Sequence, residues 1–193
     1  AVQSTASTNT DNAAISLGAV NKSVTLIDTS GMKGAQTADA SASTAAVTFN
    51  AAGAGIATLT GSAKNDTFNV TSTAAIVHVI DGGVGTADVL NINVTTAFDD
   101  VGDITNVETI NLTLASGVDA TIDNSQEFAT SVRNVNVLGG NSLSTFTSAS
   151  IATEIKTVDA SGFQGNLVGD FAANLMDETV TVTGGALTTD AIT

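Results

Sequence analysis

Apolar residues in this chain come in short runs, separated by Gly, Asn, Asp, Ser and Thr. Such runs occur at 55–61, 75–81, 107–112, 132–137, 155–159 and 179–183. Their length and their content of Val, Ile and Thr suit strands better than helices. The middle runs align with one another. Val107, Ile110 and Leu112 match Val132, Val135 and Val137, and then Ile155 and Val158, at offsets of 25 and 23 residues. One short strand recurring at that period predicts a parallel β-helix or β-solenoid, in which each coil buries its apolar face only against the next. An all-β sandwich with evenly spaced strands is the alternative. Helical spacing is weak. The segments 125–132 and 169–176 each hold about two turns of it, and they read as minor helical excursions on connecting loops. Residues 1–20 show little periodicity and read as a linker or an edge strand. Residues 21–193 form the solenoid repeat domain.

A longer repeat overlies the short one. Leu26-Ile27-Asp28-Thr29-Ser30-Gly31 resembles Thr157-Val158-Asp159-Ala160-Ser161-Gly162, with the aspartates 131 residues apart. Downstream of each copy stands an apolar-Thr-Gly segment followed by a polar stretch and Asp-x-apolar. The first runs from Leu59 through Asp66 to Phe68, the second from Val182 through Asp190 to Ile192. Their order predicts one large unit of roughly 130 residues plus the start of another. Residue 1 is Ala rather than Met, which suggests a processed chain or a piece of a longer one.

Composition narrows the function. The chain has no Cys, so disulfide frameworks and Cys-ligated metal sites are excluded. Five cations against 19 acids, a net charge of -14, do not make a nucleic-acid footprint. No apolar run is long enough to span a membrane as a helix. No charged segment followed by an apolar one marks a secretory signal at the start. Hydrophobic residues make 42% of the chain, enough for a core. The acidic excess repels itself in a compact fold, and cation binding would relieve it. Calcium is the expected ion, since carboxylates and backbone carbonyls are its preferred ligands.

The segment Asp81-Gly82-Gly83-Val84-Gly85-Thr86-Ala87-Asp88-Val89-Leu90 is the most informative. It follows the calcium nonapeptide Gly-Gly-x-Gly-x-Asp-x-apolar-x, with one extra residue before the aspartate. Glycines permit the tight turn, the aspartate supplies a carboxylate, and the apolar residue starts the next strand. The other reading is a plain glycine turn whose aspartate caps a backbone amide. The candidate metal ligands are Gly83, Gly85 and Asp88, with Asp81 beside them, then Asp66 and Asp190 in degraded copies of the pattern.

Other constellations carry less. Asp99, Asp100 and Asp103 are close in sequence but lack EF-hand spacing, and a solvated loop is the favoured reading. Asp28-Thr29-Ser30-Gly31 is not the aspartic-protease triplet, because Ser30 intervenes. A turn capped by Asp or Ser fits both it and its copy at Asp159. His78, the single histidine, lies among apolar neighbours and reads as structural. Arg133 is the single arginine, too little basic character for a lyase acting on acidic polymers. No catalytic residues are expected, and the chain is not expected to be an enzyme.

Residues 81–92, then Asn106-Val107-Glu108-Thr109-Ile110-Asn111-Leu112, then Val158-Asp159-Ala160-Ser161-Gly162-Phe163, then Val182-Thr183-Gly184-Gly185 occur in that order. Together they resemble the repeat region of bacterial surface-layer (S-layer) proteins of the RTX type, and related RTX-like adhesins. The resemblance covers roughly residues 20–193. It implies type I secretion, a cell-surface or extracellular location, calcium and self-assembly into a lattice. Expected partners are further copies of the chain, with cell-surface polysaccharide as another. An RTX-like adhesin stalk or filament subunit is the alternative function. A secreted β-helix carbohydrate-active enzyme is a remote one.

Overall fold

A computed structural model describes residues 2–3, 15–29, 34–51, 55–72, 78–97, 102–122, 131–148, 155–169, 181–185 and 190–192. Strands alternate along the chain between two positions in each coil. The first half contains β1 (Val2–Gln3), β2 (Ile15–Ala19), β3 (Leu26–Asp28), β4 (Gln36–Asp39), β5 (Thr48–Ala51), β6 (Ala57–Thr60), β7 (Thr67–Ser72), β8 (His78–Asp81) and β9 (Val89–Val94). The second contains β10 (Gly102–Thr105), β11 (Thr109–Leu114), β12 (Ala120–Ile122), β13 (Asn134–Gly139), β14 (Thr145–Ser148), β15 (Thr157–Phe163), β16 (Asn166–Gly169), β17 (Thr181–Thr183) and β18 (Ala191–Ile192). The odd-numbered strands form one nine-stranded sheet in chain order. Strands β2 to β10, taken alternately, form a five-stranded sheet, and β12 to β18 a four-stranded one.

The pairings are parallel. The chain is therefore a β-solenoid, and the sandwich alternative, which needs antiparallel neighbours, is set aside. The expected alignment reappears as register: Ile110 faces Val135 and Leu112 faces Val137, and Val135 faces Val158 in turn. No helix occurs among the described residues. Most of the two segments with helical spacing lies outside them. The strands β1 and β2, from the stretch read as a linker or edge, pair with β3 and β4.

Alternation within each strand sets the core. In β9 and β11 every second residue is buried, so Leu90, Ile92 and Val94 stack beside Ile110, Leu112 and Leu114. Phe49 and Phe68 face each other on β5 and β7, with ring centroids 4.8 Å apart and planes 9° from parallel. The five-stranded sheet contributes Leu59, Ile80 and Ile104, and the four-stranded sheet Phe146 and Leu167. Among the described residues the buried apolar side chains form this single interior stack, whose burial against successive coils stabilises the fold.

His78 lies in that interior, fully buried. Its Nδ1 accepts the Ala57 amide at 3.2 Å, and Nε2 stands 3.3 Å from the Thr71 carbonyl. An acceptor at Nδ1 fixes the proton on Nε2, so the neutral ring spans two coils. Burial holds its pKa below the ordinary value. The structural reading of the single histidine fits this placement. On β10, Gly102 at φ 94° is the only residue type that passes His78, since a Cβ there would meet the His78 carbonyl at 2.0 Å.

Candidate metal centre

The turn from β8 to β9 holds the nonapeptide-like segment. Asp81 ends β8 and stays near the surface. Its Oδ1 accepts the Gly83 amide at 2.9 Å and the Asn106 side-chain amide at 2.8 Å. This is a self-capped turn that also ties to the coil above. Gly83 takes φ 93°, and a Cβ on it would sit 2.1 Å from the Ser62 carbonyl. The glycine is thus needed both for conformation and for close approach.

Asp88 immediately precedes β9 and is fully buried. Its Oδ1 accepts the Asp66 amide at 2.6 Å, while its own amide donates to Glu108 Oε2 at 2.7 Å. Asp66 repeats the arrangement one coil earlier: its Oδ1 accepts the Val47 amide at 2.6 Å. Asp66, Asp88 and Glu108 thus form a column, each acid standing one residue before a strand of the long sheet and clipping the coil that precedes it. Glu108 was not among the candidates read from sequence. The signal was present, since Asp66-Thr67-Phe68, Asp88-Val89-Leu90 and Glu108-Thr109-Ile110 share one pattern.

The second carboxylate oxygen separates the candidates. Asp66 Oδ2 accepts the Ser62 amide at 2.6 Å, and the Ser62 hydroxyl donates as well. Asp190 uses Oδ1 on the Leu167 amide at 3.0 Å and Oδ2 on the Gly185 amide at 2.9 Å. Asp88 Oδ2 is buried with no hydrogen-bond partner. The local amide that could have served it, Gly83, is turned to Asp81 instead, and Val84 donates to the Ser62 carbonyl. Burial is the main reason the Asp88 carboxyl is pushed up to about 6. The Asp66 amide opposes this, and the charges of Glu108, Asp66 and Asp81 reinforce it.

Glycines surround that oxygen. A Cβ on Gly85 would lie 2.4 Å from Asp88 Oδ2, 2.6 Å from Oδ1 and 2.6 Å from the Lys64 carbonyl oxygen. One on Gly82 would lie 3.0 Å from Oδ2 and 1.8 Å from the Asn106 carbonyl oxygen. Asp88 and the Lys64 carbonyl therefore converge beside Gly85, as hard oxygen donors of the kind calcium takes. No group of three or more His, Asp or Glu side chains suited to a metal occurs among the described residues. A cation here would draw its remaining ligands from backbone carbonyls and water. The residues fit a single-carboxylate site at Asp88, whereas at Asp66 and Asp190 both oxygens already hold amides.

The remaining candidates stand apart from this turn. Asp103 lies on the outer face of β10, exposed, while Asp99 and Asp100 fall outside the described residues. Asp28 and Asp159 occupy equivalent positions of the long sheet, at either end of a column of asparagines. Asp159 Oδ1 caps the Ser161 amide at 2.8 Å, and the hydrogen bonds from Ser161 hold its pKa below the usual value. The two Asp-ending copies of the longer repeat are not equivalent: Asp66 leads into the nine-stranded sheet, Asp190 into the four-stranded one. Comparison with protein-family models, curated proteins and solved structures gave no match for this chain.

Proposed function

We propose that this chain is a non-catalytic structural component of the bacterial exterior, secreted and assembled with calcium into a surface lattice of the S-layer kind. The observation that carries the reading is the partnerless, buried Oδ2 of Asp88 inside a glycine turn. A charge is costly in such a place unless a cation or a proton meets it. Calcium outside cells would meet it and would couple folding to export. The resemblance to RTX-type S-layer repeats supports the same reading. In this role Asp88 would hold the ion, Gly82 and Gly85 would leave room for it, and the Lys64 carbonyl would share it. Asp66 and Glu108 would brace the column on either side.

Thermal unfolding at pH 7 with calcium or with EGTA tests this. Calcium should raise the midpoint by several degrees, as ligand linkage requires, and magnesium should do so less. A midpoint that ignores both ions removes calcium from the reading. The linear parallel stack also suits an adhesin stalk or filament subunit. Electron microscopy after calcium addition separates the two, as sheets or as end-to-end polymers.

A further inference from the structure

We infer that the outer face of the nine-stranded sheet is where a second copy of this chain docks, face to face. The inference rests on the self-assembly reading above and names the surface that would carry it. Among the described residues, Asp28 and Asp159 are the only acidic ones at outward positions on this sheet. From β5 to β13 every outward position is uncharged, Thr or Asn with a few apolar residues. The five-stranded sheet differs, with Asp39, Asp81 and Asp103 on its outer side.

The absence of charge matters in a chain of net charge -14. Two such molecules repel at most approaches, and like charges brought together cost several kcal/mol. They meet without that cost only through a surface that has none. The face is also fixed in shape. Asn69 donates to Asn50 at 2.7 Å, Asn91 to Asn69 at 2.8 Å, Asn111 to Asn91 and Asn136 to Asn111 at 2.7 Å. Asn69, Asn91, Asn111 and Asn136 each spend one N–H on a neighbour, and a side-chain amide carries two. Locked side chains lose little entropy on docking. Asparagine disfavours strands, so five in one column are not explained by propensity. A face bearing both donors and acceptors can pair with its own copy about a two-fold axis.

Area sets the strength. Strands lie roughly 4.8 Å apart and alternate residues about 6.7 Å apart. The uncharged patch then covers on the order of 400 Å² per copy, below the roughly 800 Å² of a standard stable interface. The pair is therefore weak alone and gains from an array in which each copy is held at several points.

Sedimentation velocity in calcium, over a range of protein concentrations, tests the assignment. Thr113 on β11 and Asn93 on β9 face each other in register at exposed outer positions. Thr113→Glu and, separately, Asn93→Glu should each weaken association roughly tenfold or more, the effect of about 1.4 kcal/mol. Thr58→Glu adds the same charge on the outer side of β6 and should associate like the parent. Circular dichroism confirms folding in each case, and the two face variants back each other should one not fold. Equal association by parent and face variants overturns the face but leaves self-assembly standing. A parent that stays monomeric at every concentration overturns both. A face variant that associates normally yet loses retention on a neutral polysaccharide assigns the surface to a glycan and overturns the pairing.

Discussion

The Asp66 amide donates to Asp88 Oδ1 at 2.6 Å, while the other oxygen of Asp88 has no partner. One oxygen ties two coils together, and the other is the atom that the proposed calcium would meet. Asp88→Asn keeps the acceptor for Asp66 and replaces the partnerless oxygen by a donor within the same turn. A carboxyl pushed from 3.8 to about 6 is destabilising when ionised. Its contribution is fully present below the unfolded value and is lost as pH rises through the folded one. At pH 7 without calcium the Asn variant should be the more stable by about 1–3 kcal/mol. In a chain of this size that is a midpoint rise of roughly 2–12 °C. It should also lose the calcium-dependent increment. Calorimetry with and without EGTA reads both effects, and a calcium response that persists in the variant excludes Asp88 as the ligand.

Gly85→Ala tests the cradle itself. The new methyl would stand 2.4 Å from Asp88 Oδ2 and 2.6 Å from the Lys64 carbonyl. Neither can retreat far, since Oδ1 is tied to Asp66 and Lys64 lies on the preceding coil. A loss of about 1–3 kcal/mol is expected from overpacking, together with loss of the calcium response. Gly117→Ala is the comparison, because nothing lies within 4 Å of its Cβ position and only its φ of 73° opposes the change. It should cost about 1 kcal/mol and leave the calcium response intact.

The fold was legible where apolar residues carry the register. Ile110, Val135 and Val158 align in sequence and face one another in space because each must reach the same interior column. The asparagine column was not read. Asn50, Asn69, Asn91, Asn111 and Asn136 stand 19, 22, 20 and 25 residues apart, since coil length varies with the connecting turns. Outward residues carry no burial constraint that would make such spacing visible. The turn chemistry was legible as a class, glycines followed by aspartate, but not its outcome. Asp66 and Asp190 find a second amide and Asp88 does not, a matter of where Gly83 points.

His78 and Asp88 make opposing contributions as pH changes. Burial lowers the His78 pKa, so its stability is present above the unfolded value of 6.5 and is lost as pH falls through the folded one. Ionised Asp88 destabilises at neutral pH and is relieved on acidification. In the calcium-free parent the two partly cancel between pH 7 and pH 5. In Asp88→Asn the His78 contribution stands alone, and stability should fall over that interval. Adding His78→Gln should flatten the fall. Urea midpoints at pH 5 and pH 7.5 measure this, and a parent and Asn variant with the same slope would falsify the opposition.

Asn91 donates to Asn69 and accepts from Asn111, so it serves two coils at once. Asn91→Asp keeps an acceptor for Asn111 but sets two acceptors against each other at Asn69. It also places a charge where the column has none between Asp28 and Asp159. The half-buried oxygen left without a donor should cost about 1–3 kcal/mol. Asn91→Thr removes the ladder bonds but suits a strand and carries no charge, so it should cost less, about 1 kcal/mol. Phe68→Ala sets the scale. It removes a fully buried ring stacked on Phe49 and should cost about 3–5 kcal/mol. Urea unfolding of the three variants should rank them Thr, Asp, Ala in rising cost. An Asp variant as stable as the parent would mean that the amides only lie beside one another and do not bind the coils together.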